Sequence, residues 1–219
     1  MLIKIEEPLR AKLPDLILGG FVTDVKVAAA NDQLQSLMDK EVEVLAAQYT
    51  PALIRELSPV KANKNAYRTL GKDPNRYRPA AESLLRRVAG GKGLYRINNV
   101  VDILNITSLK TGFSICGYNY DAIEGDVSMG IGEANEAYEG IGRGDLNIER
   151  LPVFRDALGA FGNPTSDSTR TMVSDVTSKF LMIVIGFDGK DAINDALDDT
   201  LHLLQKYAEG KEIERFFVE

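Results

Sequence analysis

The sequence predicts a single mixed α+β domain, 1–219, with N-terminal helical decoration. Three observations carry that expectation. Apolar residues recur at helical spacing between residues 31 and 109. An unbroken apolar run, Phe180 to Phe187, has the length and branched composition of a buried strand. The apolar fraction is 44%, enough for a real core, and no repeat, low-complexity tract or flexible linker divides the chain.

Taken in order, residues 1–30 read as strands around a Gly19-Gly20 turn, the first of them near Met1–Glu6. Asn31-Asp32 suits the cap of a helix running to about Gln48, with Leu34, Leu37, Met38, Val42, Val44 and Leu45 as its buried stripe. Residues 51–75 read as helical pieces broken at Pro51 and Pro59 and closed by Gly71-Lys72-Asp73-Pro74. Pro79 suits the first turn of a helix from Ala80 to Val88 that ends at Gly90-Gly91. Residues 98–109 read as a helix, and Phe113–Tyr120 and Asp126–Ile131 as strands. Glu133–Arg155 is Gly-rich and suits turns and short strands. A last helix starts near Lys190 and ends before Gly210, with Ile193, Ala196, Leu197, Leu201, Leu204 and Tyr207 inward. His202 falls on its polar side, beside Asp195, Asp198 and Asp199, as an exposed helical histidine.

Composition narrows the chemistry. One cysteine, Cys116, excludes an internal disulfide and a cysteine-based metal centre, and a single histidine argues against zinc. No metal and no cofactor is expected. No apolar run approaches the roughly 20 residues that span a bilayer, so no membrane partner is expected. The N-terminus lacks the pattern of a signal peptide, which makes a cytoplasmic protein the expectation. There is no Walker-type phosphate loop and no Gly-x-Ser-x-Gly elbow, and Gly130-Ile131-Gly132 lacks the third glycine of a dinucleotide fingerprint. Cys116 reads as a small buried side chain or as a nucleophile.

The net charge of −6 hides an asymmetry. Residues 55–96 hold eleven basic and three acidic side chains, a net of +8, against −14 for the rest. Arg68, Lys72, Arg76, Arg78, Arg86, Arg87 and Arg96 are therefore candidates for contact with RNA phosphate; the alternative is a set of solvated helix faces.

The densest signal is Asn98-Asn99-Val100-Val101-Asp102-Ile103-Leu104-Asn105. Asn98, Asp102 and Asn105 recur on one side of a helix, and a buried polar stripe must be hydrogen-bonded within the protein or to a ligand. Gly93, Ile97, Asn98, Asn99, Val100, Val101, Asp102, Asn105, Gly112, Asp121, Ile123 and Gly125 match a pattern of spaced residues. On these residues the chain resembles the B3/B4 domain of the β subunit of bacterial phenylalanyl-tRNA synthetase. Arg76–Arg87 and Asn163–Thr171 resemble further segments of free-standing proteins with this domain, and the resemblance covers about residues 55–207, with 1–54 as an N-terminal extension packed on that core.

The resemblance implies a B3/B4-type layered β-sandwich flanked by helices. It implies a tRNA-binding, editing-type domain that acts in trans to hydrolyse the ester of misacylated aminoacyl-tRNA, an aminoacyl-tRNA deacylase and not a complete synthetase. A non-catalytic binder of aminoacyl-tRNA or of an amino-acid-like ligand, and an interaction scaffold with a relic pocket, stand as alternatives. Asn98, Asn105, Cys116, Thr165, Ser166, Asp167 and Arg170 are the pocket candidates, with Asn105 on a family pocket asparagine and Asp102 holding the turn. For the asparagines the alternative is helix capping, and for residues 165–170 a surface turn. No catalytic residue is assigned. The chain departs from the family at the strand histidine, which aligns with Cys116, at the following aspartate, which aligns with Asn119, and at a late glutamate, whose register falls near Ile183.

Overall fold

The computed structural model describes residues 1–187 and 189–219. Its elements run β1 (Ile3–Ile5), α1 (Glu7–Lys12), β2 (Ile17–Asp24), α2 (Asp32–Gln48), α3 (Pro51–Glu56), α4 (Ser58–Leu70), α5 (Ala80–Ala89) and α6 (Asn99–Thr111). Then come β3 (Ser114–Asn119), β4 (Val127–Ile131), β5 (Glu139–Gly140), β6 (Gly144–Asp145), β7 (Pro152–Asp156), β8 (Gly159–Gly162), β9 (Lys179–Gly186), α7 (Lys190–Tyr207) and β10 (Lys211–Val218).

The strand Phe180–Phe187 was the clearest expectation, and β9 organises the molecule. It lies inside the antiparallel sheet β10-β2-β9-β3. Side chains alternate across a strand, so its two faces serve two cores. Leu181, Ile183 and Ile185 pack with Val127, Met129, Phe154 and Phe161 of the second sheet, β1-β4-β7-β8. Phe180, Met182 and Val184 pack against α2, α6 and α7 through Met38, Ile103 and Ile193. The result is an α+β fold of layers: sheet, sheet, helices. Phe180 through Ile185 are all fully buried, and each such side chain contributes roughly 1.5–3 kcal/mol. Segment 1–54 supplies β1, parallel to β4, and β2, antiparallel to β9.

Local chemistry sets the helix ends. Asn31 Oδ1 accepts from Leu34 N–H at 2.9 Å and Asn98 Oδ1 from Val101 N–H at 2.9 Å, each satisfying an orphan donor of a first turn. α3 and α4 each carry a proline at their start, and α4 ends at Gly71 in the left-handed region.

Three expectations need correction. Gly19 and Gly20 form no turn; they sit in the middle of β2. They are glycines because a Cβ on Gly19 would meet Ile193 of α7 and one on Gly20 would meet the Met182 carbonyl and the Phe216 ring. Residues 7–12 are the helix α1, opened by Pro8 and anchored by Leu9, rather than strand. Val44, placed in the buried stripe of α2, is 51% exposed, because the helix buries only Leu34, Met38 and Leu45 fully. β8 and β10 were not anticipated.

Among the described residues no helix is long and apolar enough to cross a membrane.

Candidate functional site

The second half of the basic segment and the polar loop 163–168 come together around α5 and α6. An open cleft of about 630 Å³ lies between α5, the 90–95 segment, α6, the β5–β6 hairpin and that loop. Five cations line it: Arg78, Arg86, Arg87, Lys92 and Arg143. Asn105 from α6 and Thr165 and Ser166 from the loop supply neutral polar groups.

Each part is held by named contacts. α6 approaches β3 closely because Gly117 lacks a Cβ, which would collide with Leu104. The loop is turned by Asn163, whose Oδ1 accepts from the N–H groups of Thr165 at 2.9 Å and Ser166 at 3.2 Å. Ala80 N–H donates to Pro164 O at 2.7 Å and ties the start of α5 to the loop. Tyr138 Oη donates to Ser166 O at 2.6 Å and Ile141 N–H to Asp167 O at 2.9 Å, which fixes the hairpin over it. Thr165 Oγ1 meets Tyr67 Oη at 2.9 Å and donates to Tyr77 O at 3.1 Å.

Beneath the cleft is a buried carboxylate. Glu82 on α5 is 1% exposed. Its Oε1 accepts from Arg86 Nε at 2.8 Å and from Lys64 Nζ at 3.4 Å, and lies 3.8 Å from Arg78 Nε. One acid thus positions two of the cleft's arginines.

Asp167 follows Ser166 and turns toward β3. Tyr118 Oη donates to its Oδ1 at 2.9 Å and Gly117 N–H points at Oδ2 at 3.4 Å. Burial pushes its carboxyl up to about 7, against the lowering effect of the Tyr118 and Gly117 bonds. Burial, then the neighbouring Asp167 charge, pushes the Cys116 thiol well up, so it is held protonated and is a poor nucleophile. Burial also raises Tyr118, with Asp167 adding to it.

A pH dependence follows. In the unfolded chain an aspartate loses its proton near pH 4, and in the folded protein Asp167 keeps it to about 7. The folded state binds the extra proton between those values. The group's stabilising contribution is full below about pH 4 and is lost as pH rises through about 7. Asp167→Asn removes this titration. The drop in melting temperature of the parent between pH 5 and pH 8 is expected to shrink in the variant. An equal drop in both proteins would refute the buried-proton account.

The sequence-derived candidates divide clearly. The cleft gathers Asn105, Thr165, Ser166, Arg78, Arg86 and Arg87. Asp167 and Cys116 lie behind it, Cys116 within the inter-sheet core. Asn98 caps α6, and Asp102 Oδ1 accepts from Ile97 N–H at 2.9 Å, holding the entry to that helix. Arg170 makes a two-pronged pair with Asp156, at 3.0 and 2.8 Å, beside a separate cavity of about 910 Å³. Lys72 points inward, donating to the carbonyls of Asn147 at 2.9 Å and Glu149 at 2.6 Å. Arg96 reaches Asp39 on α2, Arg68 bonds Asn65, and Arg76 is exposed near Tyr77.

Sequence reasoning left out Tyr95, Ile141 and Arg143 and did not select Lys92. Their signal was weak: a lone aromatic between helices, and one cation in a Gly-rich turn.

Asn105 stands apart from its neighbours. Asn98 caps its helix, and Asn99 bonds Ala28 N–H, Lys26 O and Tyr207 O. The Asn105 side chain has no hydrogen-bond partner among the described residues and faces the cleft with both amide donors and its carbonyl oxygen free.

No curated protein matches the sequence. Among solved structures, the chain is similar to an N-terminal fragment of the phenylalanyl-tRNA synthetase β-subunit from Pyrococcus horikoshii, with TM-score 0.49 and 12% identity over 99% of this chain. It spans 50% of that fragment. The family model described as the B3/4 domain matches residues 62–209, which takes in α5, α6, the hairpin and the loop that form the cleft, and the chain belongs to the B3/4 domain family.

Proposed function

We propose that this chain binds the 3′ end of an aminoacyl-tRNA in the cleft and hydrolyses its ester in trans, as an editing-type domain. The observation that carries the reading is the convergence of a free amide, Asn105, the Ser166 hydroxyl and five cations on one open cleft. Cations suit the phosphates of an RNA end. The Asn105 amide and the Ser166 hydroxyl suit a carbonyl and an attacking water. An aminoacyl ester is already activated, so positioning does most of what its hydrolysis requires. Asp167, adjacent to Ser166, lies behind the cleft with its carboxyl bonded to Tyr118 and Gly117, so it can act on the bound ester only by positioning the loop.

A second reading, a non-catalytic binder of the same RNA end, is favoured by one observation. Cys116 and Ile183, at the family's histidine and glutamate registers, pair directly across β3 and β9 and are buried between the sheets. Neither reaches the cleft.

A panel of correct and mischarged aminoacyl-tRNAs, incubated with the purified protein, separates the two. Release of one amino acid well above the buffer rate is expected. Asn105→Ala should then lower kcat/KM by about 10²-fold, the scale of one lost positioning donor. Its melting temperature should hold, because no internal bond is lost. A flat panel with salt-sensitive tRNA binding would select the binder. No turnover and no binding at low salt would remove both.

A further inference from the structure

Cations suit phosphate, but two large side chains of the cleft, one aromatic and one aliphatic, are also exposed. Tyr95 is 54% exposed and Ile141 45% exposed, and both line the cleft. Tyr95 lies in the 90–98 connection between α5 and α6. The Arg87 guanidinium sits over its ring, 3.9 Å from the centroid, and Arg87 Nη1 donates to Tyr95 Oη at 3.2 Å. Arg87 projects from α5, so the ring is clamped to a helix.

Such a clamp orders an exposed aromatic side chain before any ligand arrives. A ring held in advance loses less entropy on binding. One face meets a cation; the residue lines the cleft and over half of its surface is exposed. In a basic groove, an open aromatic face takes a nucleobase, since every base offers a π-face of matching size. Arg87 Nε is buried and has no hydrogen-bond partner, which leaves a donor unused beside the platform.

We propose that Tyr95, clamped by Arg87, is a stacking platform for one unpaired nucleobase, so that the cleft selects a single-stranded RNA end over a duplex. This rests on the RNA-end reading above and adds to it the base, as distinct from the phosphates. In a duplex both faces of an internal base are already stacked, and the platform has nothing to receive.

The chain contains no tryptophan, so Tyr95→Trp introduces a sole indole reporter. The probes are a short single-stranded oligoribonucleotide ending in CCA, its abasic counterpart of equal length, and the same sequence in a duplex. The single strand is expected to quench the indole; the abasic strand should leave it unquenched at matched occupancy. In the otherwise unaltered protein, Tyr95→Ala should weaken single-strand binding about five- to hundredfold and leave abasic-strand binding unchanged. Tyr95→Phe should retain most of the affinity, which separates the ring from the hydroxyl. Equal loss for the base-bearing and abasic strands, no loss in Tyr95→Ala, or tighter binding of the duplex would each overturn the platform while RNA binding itself stood. Absence of binding to all three probes by the parent protein would overturn it together with the reading on which it rests.

Discussion

Asn99→Ala is expected to destabilise the protein by about 3–5 kcal/mol and to lower Tm by roughly 10 °C. Asn99 is 3% exposed and sits at the first turn of α6. Its Oδ1 accepts from Ala28 N–H at 2.9 Å, and its Nδ2 donates to Lys26 O and Tyr207 O, each at 2.9 Å. One side chain therefore joins the β2–α2 connection, the start of α6 and the end of α7. Alanine leaves two carbonyls and one N–H without partners, and each unsatisfied buried group costs about 1–3 kcal/mol. Against a total stability of roughly 5–15 kcal/mol, this is a large fraction. Asn99→Asp, of nearly the same shape, should be no better, because it turns an oxygen toward the two carbonyls. Chemical denaturation of both variants gives the answer; a loss below about 1 kcal/mol in each would remove Asn99 as a latch.

That prediction marks where the sequence was legible and where it stopped. The Asn98–Asn105 stretch announced a polar helix face, and periodicity placed α2, α6, α7 and β9 because each buries one regular stripe or alternation. It did not reveal that the asparagines divide three ways: Asn98 to a cap, Asn99 to three segments, Asn105 to the cleft. Those partners lie up to 108 positions away. The Gly19-Gly20 pair misled for the same reason. Two glycines signal conformational freedom, yet here they are required by Ile193 and Phe216, side chains near the other end of the chain. β10 was hidden by its edge position, its four charged residues and the irregularity between Glu212 and Glu214.

Charge was legible only in aggregate. Of the cations in the +8 segment chosen from the sequence, Arg78, Arg86 and Arg87 line the cleft. Lys72, Arg96 and Arg170 are drawn off by Asn147 and Glu149 carbonyls, by Asp39 and by Asp156. Which cations stay available depends on which acceptors the fold brings near, and no local pattern encodes that. Arg143 reaches the cleft only because the β5–β6 hairpin is pinned to residues 166–168.

Glu82→Ala is expected to cost a further distinct 3–5 kcal/mol, roughly the scale of breaking a buried ion pair from one side. The reason is Lys64, which is 7% exposed and loses its one carboxylate partner among the described residues; Asn75 Oδ1, at 3.5 Å, remains. Arg86 loses its 2.8 Å bond, and Arg78 loses the carboxylate nearest to it. Glu82→Gln keeps an acceptor for Arg86 and should lose less, while leaving the same Lys64 charge uncompensated. The glutamine variant also reports on the cleft. A negative charge beneath Arg78 and Arg86 lowers the positive potential that an RNA phosphate meets. Its removal should raise affinity for a single-stranded oligoribonucleotide by a few-fold at low salt, and the gain should fade as salt screens it. Stability and anion affinity would then move in opposite directions from one substitution. Denaturation midpoints and binding isotherms at two salt concentrations measure both. An unchanged midpoint in Glu82→Ala would remove the ion-pair account, and weaker low-salt binding in Glu82→Gln would mean that Glu82 serves the cleft by aiming its arginines more than by tempering their charge.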